Sequence, residues 1–193
     1  VNAVESNANI SLATSAIIVT SAATLANAIS INGYTTGQVT LQSVEDTYDN
    51  ITSIDALTTS EVSMAAAAVN VTSVADKSKV DALRTYTTGD ITLTSVTEDK
   101  ADLATINGYS DVILSTANIT VTDNVDKSEA DTIDAYNNTS GTVTLTSITD
   151  TVTNVNAVES NANISLATSA IIVTSAATLA NAISINGYTT GQV

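Results

Sequence analysis

Apolar and hydroxyl residues alternate in short runs that recur along the whole chain. QVTL (Gln38–Leu41), EVSM (Glu61–Met64), DITL (Asp90–Leu93), DVIL (Asp111–Leu114), TVTL (Thr142–Leu145) and NISL (Asn163–Leu166) are six versions of one run. Stacked, they align Val39, Val62, Ile91, Val112, Val143 and Ile164 in one apolar column. Leu41, Met64, Leu93, Leu114, Leu145 and Leu166 form a second. Thr40, Ser63, Thr92, Ile113, Thr144 and Ser165 stand between them. A period of two with one apolar face predicts half-buried strands.

The intervals from Val39 to Val193 are 23, 29, 21, 31, 21 and 29 residues, an alternation of short and long units. Long units carry a second alternating run at Val69/Val71, Ile119/Val121 and Ile171/Val173, where short units have the single residues Val44, Val96 or Ile148. Each unit then shows apolar positions three apart, the mark of one face of a short helix. Short units have Ile51/Ile54/Leu57, Leu103/Ile106/Tyr109 and Val155/Val158. Long units have Val80/Leu83/Tyr86, Ala130/Ile133/Tyr136 and Ala182/Ile185/Tyr188. Tyr34, Tyr86, Tyr136 and Tyr188 close the long units as a packing column, and the turns after them end in Gly37, Gly89, Gly141 and Gly191. Those glycines are expected to reset the chain direction.

A longer period encloses these units. Val1–Val39 and Val155–Val193 are identical over 39 residues, so residues 1–154 are one full period of six strand–helix units in three short–long pairs. Residues 155–193 begin the next, with no independent domains. Both ends fall inside a repeat, which predicts a window on a longer tandem array. Units that cannot bury their apolar faces alone bury them by stacking. The predicted fold is therefore a β-rich solenoid, with parallel strand ladders and short helices at the corners (an α/β solenoid), forming part of a tandem-repeat fibre. Six ladder steps at the usual strand spacing give a rise of roughly 29 Å per period. Strands stack about 4.8 Å apart while helix axes need 8–10 Å, and the short–long alternation offers a way to reconcile the two.

Composition narrows the chemistry. The chain of 193 residues has no Cys, His, Pro, Phe or Trp, and 56 of its residues are Thr or Ser. Thiol and imidazole catalysis, zinc, haem and iron–sulfur ligation are excluded on that ground. Twenty acids against five bases give a net charge of −15, the wrong sign for a nucleic-acid partner. The apolar run at Ala65–Val69 is far short of a membrane span. One period carries a net −14, and on the predicted ladder that is about one charge per 2 Å, near the density of duplex DNA. Calcium or another divalent cation is thus expected as a counterion.

Asp46, Asp76, Asp99, Asp126 and Asp150 stand near helix starts, and all four lysines (Lys77, Lys79, Lys100, Lys127) follow within three residues of one of them. A carboxylate there caps free N–H groups. Asp46, Asp99, Asp126 and Asp150 are also the candidate metal ligands, although neither an EF-hand loop nor a GGxGxD nonapeptide is present. Acid pairs such as Glu98/Asp99 sit at repeat corners rather than in a convergent pocket, so no catalytic residues and no enzyme activity are expected.

The run Ile119–Asp150, with the endings Ile54-Asp55-Ala56-Leu57 and Ile106-Asn107-Gly108-Tyr109, resembles the units of giant bacterial cell-surface and extracellular tandem-repeat proteins. The resemblance covers the whole chain and implies a secreted, extracellular or cell-surface location with a surface-layer, adhesin or matrix role. The expected function is structural: a long acidic filament, surface coat or stalk. Its partners would be further copies of the repeat, in the same chain or by end-to-end association, with no membrane insertion. The alternative is an adhesin-type module that recognises cations, glycans or other cells through its ladder faces.

Overall fold

The structure is a computed structural model that describes residues 11–57, 61–138 and 140–193. The opening residues of the 1–154 period lie outside the described part. Among the described residues the strands are β1 (Ile17–Val19), β2 (Val39–Leu41), β3 (Ser43–Asp46), β4 (Val62–Ser63), β5 (Ala68–Ala75), β6 (Ile91–Glu98), β7 (Val112–Ile113), β8 (Asn118–Val125), β9 (Val143–Asp150), β10 (Ile164–Ser165) and β11 (Ala170–Val173). The α-helices are α1 (Leu25–Asn32), α2 (Tyr48–Ala56), α3 (Lys77–Tyr86), α4 (Lys100–Asn107), α5 (Lys127–Asp134), α6 (Val152–Glu159) and α7 (Leu179–Asn186); a 3₁₀ turn, Ala135–Asn137, extends α5.

β1, β2 and β4 form a three-stranded sheet, separate from the sheet pairing of the other strands. Packing divides the chain into two units, Val1–Thr92 and Leu93–Val193. In the first unit β2 pairs in parallel with β1 and β4, β3 pairs in parallel with β5, and α2 packs on both α1 and α3. In the second, β8 pairs in parallel with β6 and β9, β9 with β10 and β11, and α4 through α7 contact one another in chain order. Parallel neighbours need a crossover between them, and α1 through α6 each lie between two strands, while no described strand follows α7.

This architecture is α/β and corrects the β-rich solenoid expected from the sequence columns. The helices are not corners. Among the described residues they are seven elements of eight to ten residues, and most bury two apolar residues, as Ile51 and Ile54 do in α2 and Leu103 and Ile106 in α4. Strand residues are buried as fully: Leu41 and Ile91 in the first unit, and Leu93, Ile119, Leu145 and Ile148 in the second. Nor do the strands stack in one ladder: β2 and β3, adjacent in sequence, enter different sheets. The tandem-repeat β-solenoid, and the rise and linear charge density computed from a six-step ladder, are replaced by compact α/β structure. The sequence repetition itself stands.

Register explains the difference. The stacked columns hold where Val39 pairs with Val62 and Val143 with Ile164. They slip elsewhere: Ile119, of the second run, pairs with Val96 on one side and with Val143 on the other. The slip is a net five residues, so Val96 and Val143, which stand in different columns, lie one strand apart on either side of Ile119. A bulge between Val121 and Asn124 in β8 absorbs one residue and returns Val125 to the core opposite Ile148.

The turns after the long units are hooked to an earlier loop. Thr87 Oγ1 donates to the Ala67 carbonyl (2.6 Å) and accepts from Gly89 N–H (2.9 Å), while Thr88 N–H donates to the Ala65 carbonyl (2.9 Å). Thr35 and Thr189 repeat the first bond on Ser15 and Ser169, and Asn137 Nδ2 takes its place on Ala117. None of the glycines has a positive φ. Gly37, Gly89, Gly141 and Gly191 are needed for close approach: a Cβ there would overlap the backbone carbonyl of Ser15, Ala67, Ala117 or Ser169.

Gly89→Ala should therefore destabilise the protein by about 1–3 kcal/mol, the usual cost of forced overpacking. Gly33→Ala, at the right-handed end of α1 with ordinary contact distances for a Cβ, should be neutral or slightly stabilising. Urea unfolding of the two variants tests the contrast; equal stabilities would remove the close-approach explanation.

Candidate functional site

The acidic residues singled out in the sequence line the N-termini of the helices. Asp76, Asp99 and Asp126 are N-caps, accepting from Lys79 N–H (2.9 Å), Asp102 N–H (2.8 Å) and Glu129 N–H (2.9 Å). Asp126 completes a capping box with Glu129. Asp46 and Asp150 sit one residue earlier, before the N-caps Thr47 and Thr151.

These two carboxylates bridge neighbouring helices. Asp46 accepts from Thr47 N–H and Asn50 Nδ2 on its own helix (both 2.8 Å), and from Leu25 N–H at the start of α1 (2.9 Å). Asp150 does the same with Thr151 N–H (2.7 Å), Asn154 Nδ2 (2.8 Å) and Lys127 N–H at the start of α5 (2.9 Å). Asp123 accepts from Lys100 N–H (3.0 Å), and Ser73 and Ser175 hydroxyls accept from Tyr48 N–H and Val152 N–H (both 3.0 Å). The rule is common to all: a side chain two residues beyond the last regular apolar strand position caps the first amide of the preceding unit's helix. Sequence reasoning took Asp46 and Asp150 as caps of their own helices and missed the lateral bond. The signal was present as a column of Asp46, Ser73, Asp123, Asp150 and Ser175.

Burial acts on Asp46 and Asp150 to raise their pKa, but the hydrogen bonds outweigh it and hold both carboxyls below the ordinary value. For Asp46 the donors are Leu25, Asn50 and Thr47; for Asp150 they are Lys127 N–H, Thr151 and Asn154, with the Lys127 charge adding to them. Asp76 is likewise lowered, against burial, by Ser78 and Lys79. The Lys100 ammonium, 2.8 Å from Glu129 across α4 and α5, lowers the Glu129 pKa. Asp55 runs the other way, raised by burial.

Of the four candidate metal ligands, Asp99 alone joins a cluster. With Glu98 and Asp102 it offers carboxylate oxygens all within 4.8 Å of one another, each residue half-buried. Asp46, Asp126 and Asp150 are not brought together, and their oxygens are spent on N–H groups. Calcium takes six to eight oxygen ligands from carboxylates, carbonyls and water, and here one Asp99 oxygen already accepts from Asp102 N–H. Beside α4 and α5 lies an open groove of about 220 Å³, lined by Lys100, Ser128, Glu129, Thr132, Ile133 and Tyr136. Among the described residues no helix is long and apolar enough to cross a membrane.

No protein-family model matches the chain. Curated proteins and solved structures likewise give no match.

Loss of the lateral bond has a defined cost. Asp150→Ala should destabilise by about 1–2 kcal/mol, in the range for a lost cap, whereas Asp150→Ser should recover most of it, because Ser73 and Ser175 hold the equivalent place. Denaturant unfolding measures both; equal losses for Ala and Ser would sink the rule.

Stability should also depend on acid. The lowered pKa values of Asp46, Asp76, Asp150 and Glu129 give stability that is fully present above the unfolded-state value near 4 and lost as pH falls through the folded values. Asp55, with its raised value, offsets a part by protonating more readily in the folded state. A melting temperature flat from pH 5 to 8 and falling below about pH 4 is the expected profile; a midpoint that rises on acidification would contradict it.

Proposed function

We propose that the chain is a structural protein of an acidic extracellular assembly, a filament, surface coat or stalk, whose working partners are further copies of itself. The observation that carries this is the use to which its polar chemistry is put. Asp46, Asp123 and Asp150, with Ser73 and Ser175, are engaged in holding one helix to the next. Most of the other described carboxylates are exposed or half-buried, Asp134 being buried, and a net −15 attracts counterions. The extracellular setting rests on the resemblance of the repeat units to bacterial surface proteins. A second reading, an adhesin-type module, is favoured by the groove at Tyr136, where an aromatic ring and the Lys100–Glu129 pair stand together as they do in sites that hold polar ligands.

Calcium and added salt should raise the melting temperature or bundle the protein, since both relieve self-repulsion of like charges. Thermal melts and light scattering before and after chelation and desalting measure this. If neither changes, the acidic-assembly reading fails; saturable binding on a glycan array would favour the adhesin instead.

A further inference from the structure

The open groove of about 220 Å³ beside α4 and α5 brings three kinds of group together. Ser128, Thr132 and Tyr136 recur every four residues along α5 and the 3₁₀ turn that extends it, so their hydroxyls follow one face. Thr132 Oγ1 donates to the Ser128 carbonyl (2.8 Å), which leaves its lone pairs to accept. The Ser128 and Tyr136 hydroxyls have no hydrogen-bond partner among the described residues. Ile133, 2% exposed, and the half-buried Tyr136 ring supply the apolar surface. The third group is a charged pair, Lys100 Nζ and Glu129 Oε1, 2.8 Å apart and both more than a third exposed. Each partner is held from behind: Lys100 Nζ also donates to the Asn124 carbonyl (3.1 Å), and the other Glu129 oxygen accepts from Asp126 N–H (3.0 Å).

The helix pair α2 and α3 builds the corresponding place differently. Tyr48, like Lys100, is the first residue of a short-unit helix, and Lys79, like Glu129, is the third of the long-unit helix that follows. The Lys79 ammonium lies 5.7 Å from the Tyr48 ring centroid, a cation on an aromatic face. Ala82 stands where α5 has Thr132. The place that holds a donor–acceptor pair and a row of hydroxyls at α4 and α5 thus holds a ring and a cation at α2 and α3.

A ligand in the α4–α5 groove must meet an ammonium and a carboxylate side by side. Neighbouring hydroxyls on a carbon ring do so, one accepting from Lys100 and the next donating to Glu129, because each hydroxyl is both donor and acceptor. An anion is opposed by the net −15 and by Glu129, and a cation meets Lys100. The C–H face of the same ring suits the Tyr136 ring and Ile133. The volume lies below the roughly 300 Å³ at which pockets hold drug-sized ligands, which limits the occupant to one ring. We propose that this groove binds a neutral sugar, with vicinal hydroxyls across Lys100 and Glu129, further hydroxyls on Ser128 and Thr132, and the ring against Tyr136. The charged pair is fixed before the ligand arrives, so little ordering opposes binding. This inference rests on the adhesin-type reading and names its ligand class and site.

Amide NMR shifts of the isotope-labelled full-length chain, titrated with methyl glucoside, methyl galactoside and methyl mannoside, test the site. At least one sugar should give saturable shifts at Lys100 and along Ser128–Tyr136, with a Kd on the order of 1 mM for a single ring. Glucuronate should bind at least about tenfold more weakly, since its carboxylate meets the acidic field. Lys100→Tyr combined with Glu129→Lys rebuilds the α2–α3 pairing in this place. Its spectrum should show the parent fold, and the sugar shifts should vanish. Ser128→Ala and Thr132→Ala, both at exposed positions, should each weaken binding about fivefold, the factor for one hydrogen bond. The proposal is overturned by an absence of saturable shifts with all three sugars, by shifts confined to other residues, by equal affinity for glucuronate, or by unchanged binding in the double variant. Binding on a glycan array together with shifts elsewhere would keep the adhesin reading and remove this site, so the two fail separately.

Discussion

The first amide of a helix has no partner within that helix, and this protein hands most of those amides to the next segment of chain. That single constraint ties sheet to helix and helix to helix. A strand must end with an acceptor side chain at the height of the preceding helix's N-terminus, as Asp46 does for Leu25 and Asp150 for Lys127. The strand's length and register then follow from the demand. In β8 the bulge between Val121 and Asn124 coincides with Asp123, which caps Lys100, while Val125 still reaches the core. The interaction is charge-assisted where the acceptor is Asp and neutral where it is Ser73 or Ser175, so the geometry, rather than the charge, is the common element.

The same constraint bears on the net charge. An excess of fifteen negative charges opposes a compact state. Placing carboxylates at helix N-termini turns part of that burden into stabilisation, because the partial positive charge there favours an anion. Asp46 and Asp150 keep their pKa values low despite burial because backbone N–H groups and an Asn side chain at those termini donate to them. The few lysines are used locally: Lys77 pairs with Asp81 and Lys127 with Asp131 one turn on, and Lys100 reaches Glu129 on the next helix. Exposed to a quarter or more, such pairs contribute little each. Their arrangement beside the cap residues limits repulsion where acids are densest.

Much of the local structure is legible in the sequence. The apolar columns find the strands, the spacing of three finds the buried pairs Val80/Leu83 and Val155/Val158, and acids at helix starts find the caps at Asp76, Asp99 and Asp126. What sequence could not supply is pairing. Both apolar runs of a long unit have period two and the same residue types, so the second run is as fit a partner for a short unit as the first. Only packing decides that Ile119 lies opposite Val143. The solenoid expectation fails at this step, since it assumes one column per strand and treats helices as corners. The lateral caps were hidden for the same reason: Asp46 lies far from Leu25 in sequence, and its role appears only once neighbouring units are set side by side. The glycines at the turns were found, but the close approach of Gly89 to the Ala67 carbonyl, which requires glycine there, leaves no trace of its own in the sequence.

The duplicated segment separates what sequence decides from what neighbours decide. Both copies fold alike: Thr24 and Thr178 close the same capping box with Asn27 and Asn181, and the helix runs over the same eight residues, LANAISIN, in each. With mean propensities unremarkable and no charged pairs on its surface, that helix owes its start to the cap and its persistence to Ile31 or Ile185 in the core. Yet Ala28 is fully buried and Ala182 exposed, with nothing different between them but the chain that comes to lie on top. Local structure here belongs to the sequence, and burial belongs to whichever strand–helix segment arrives next.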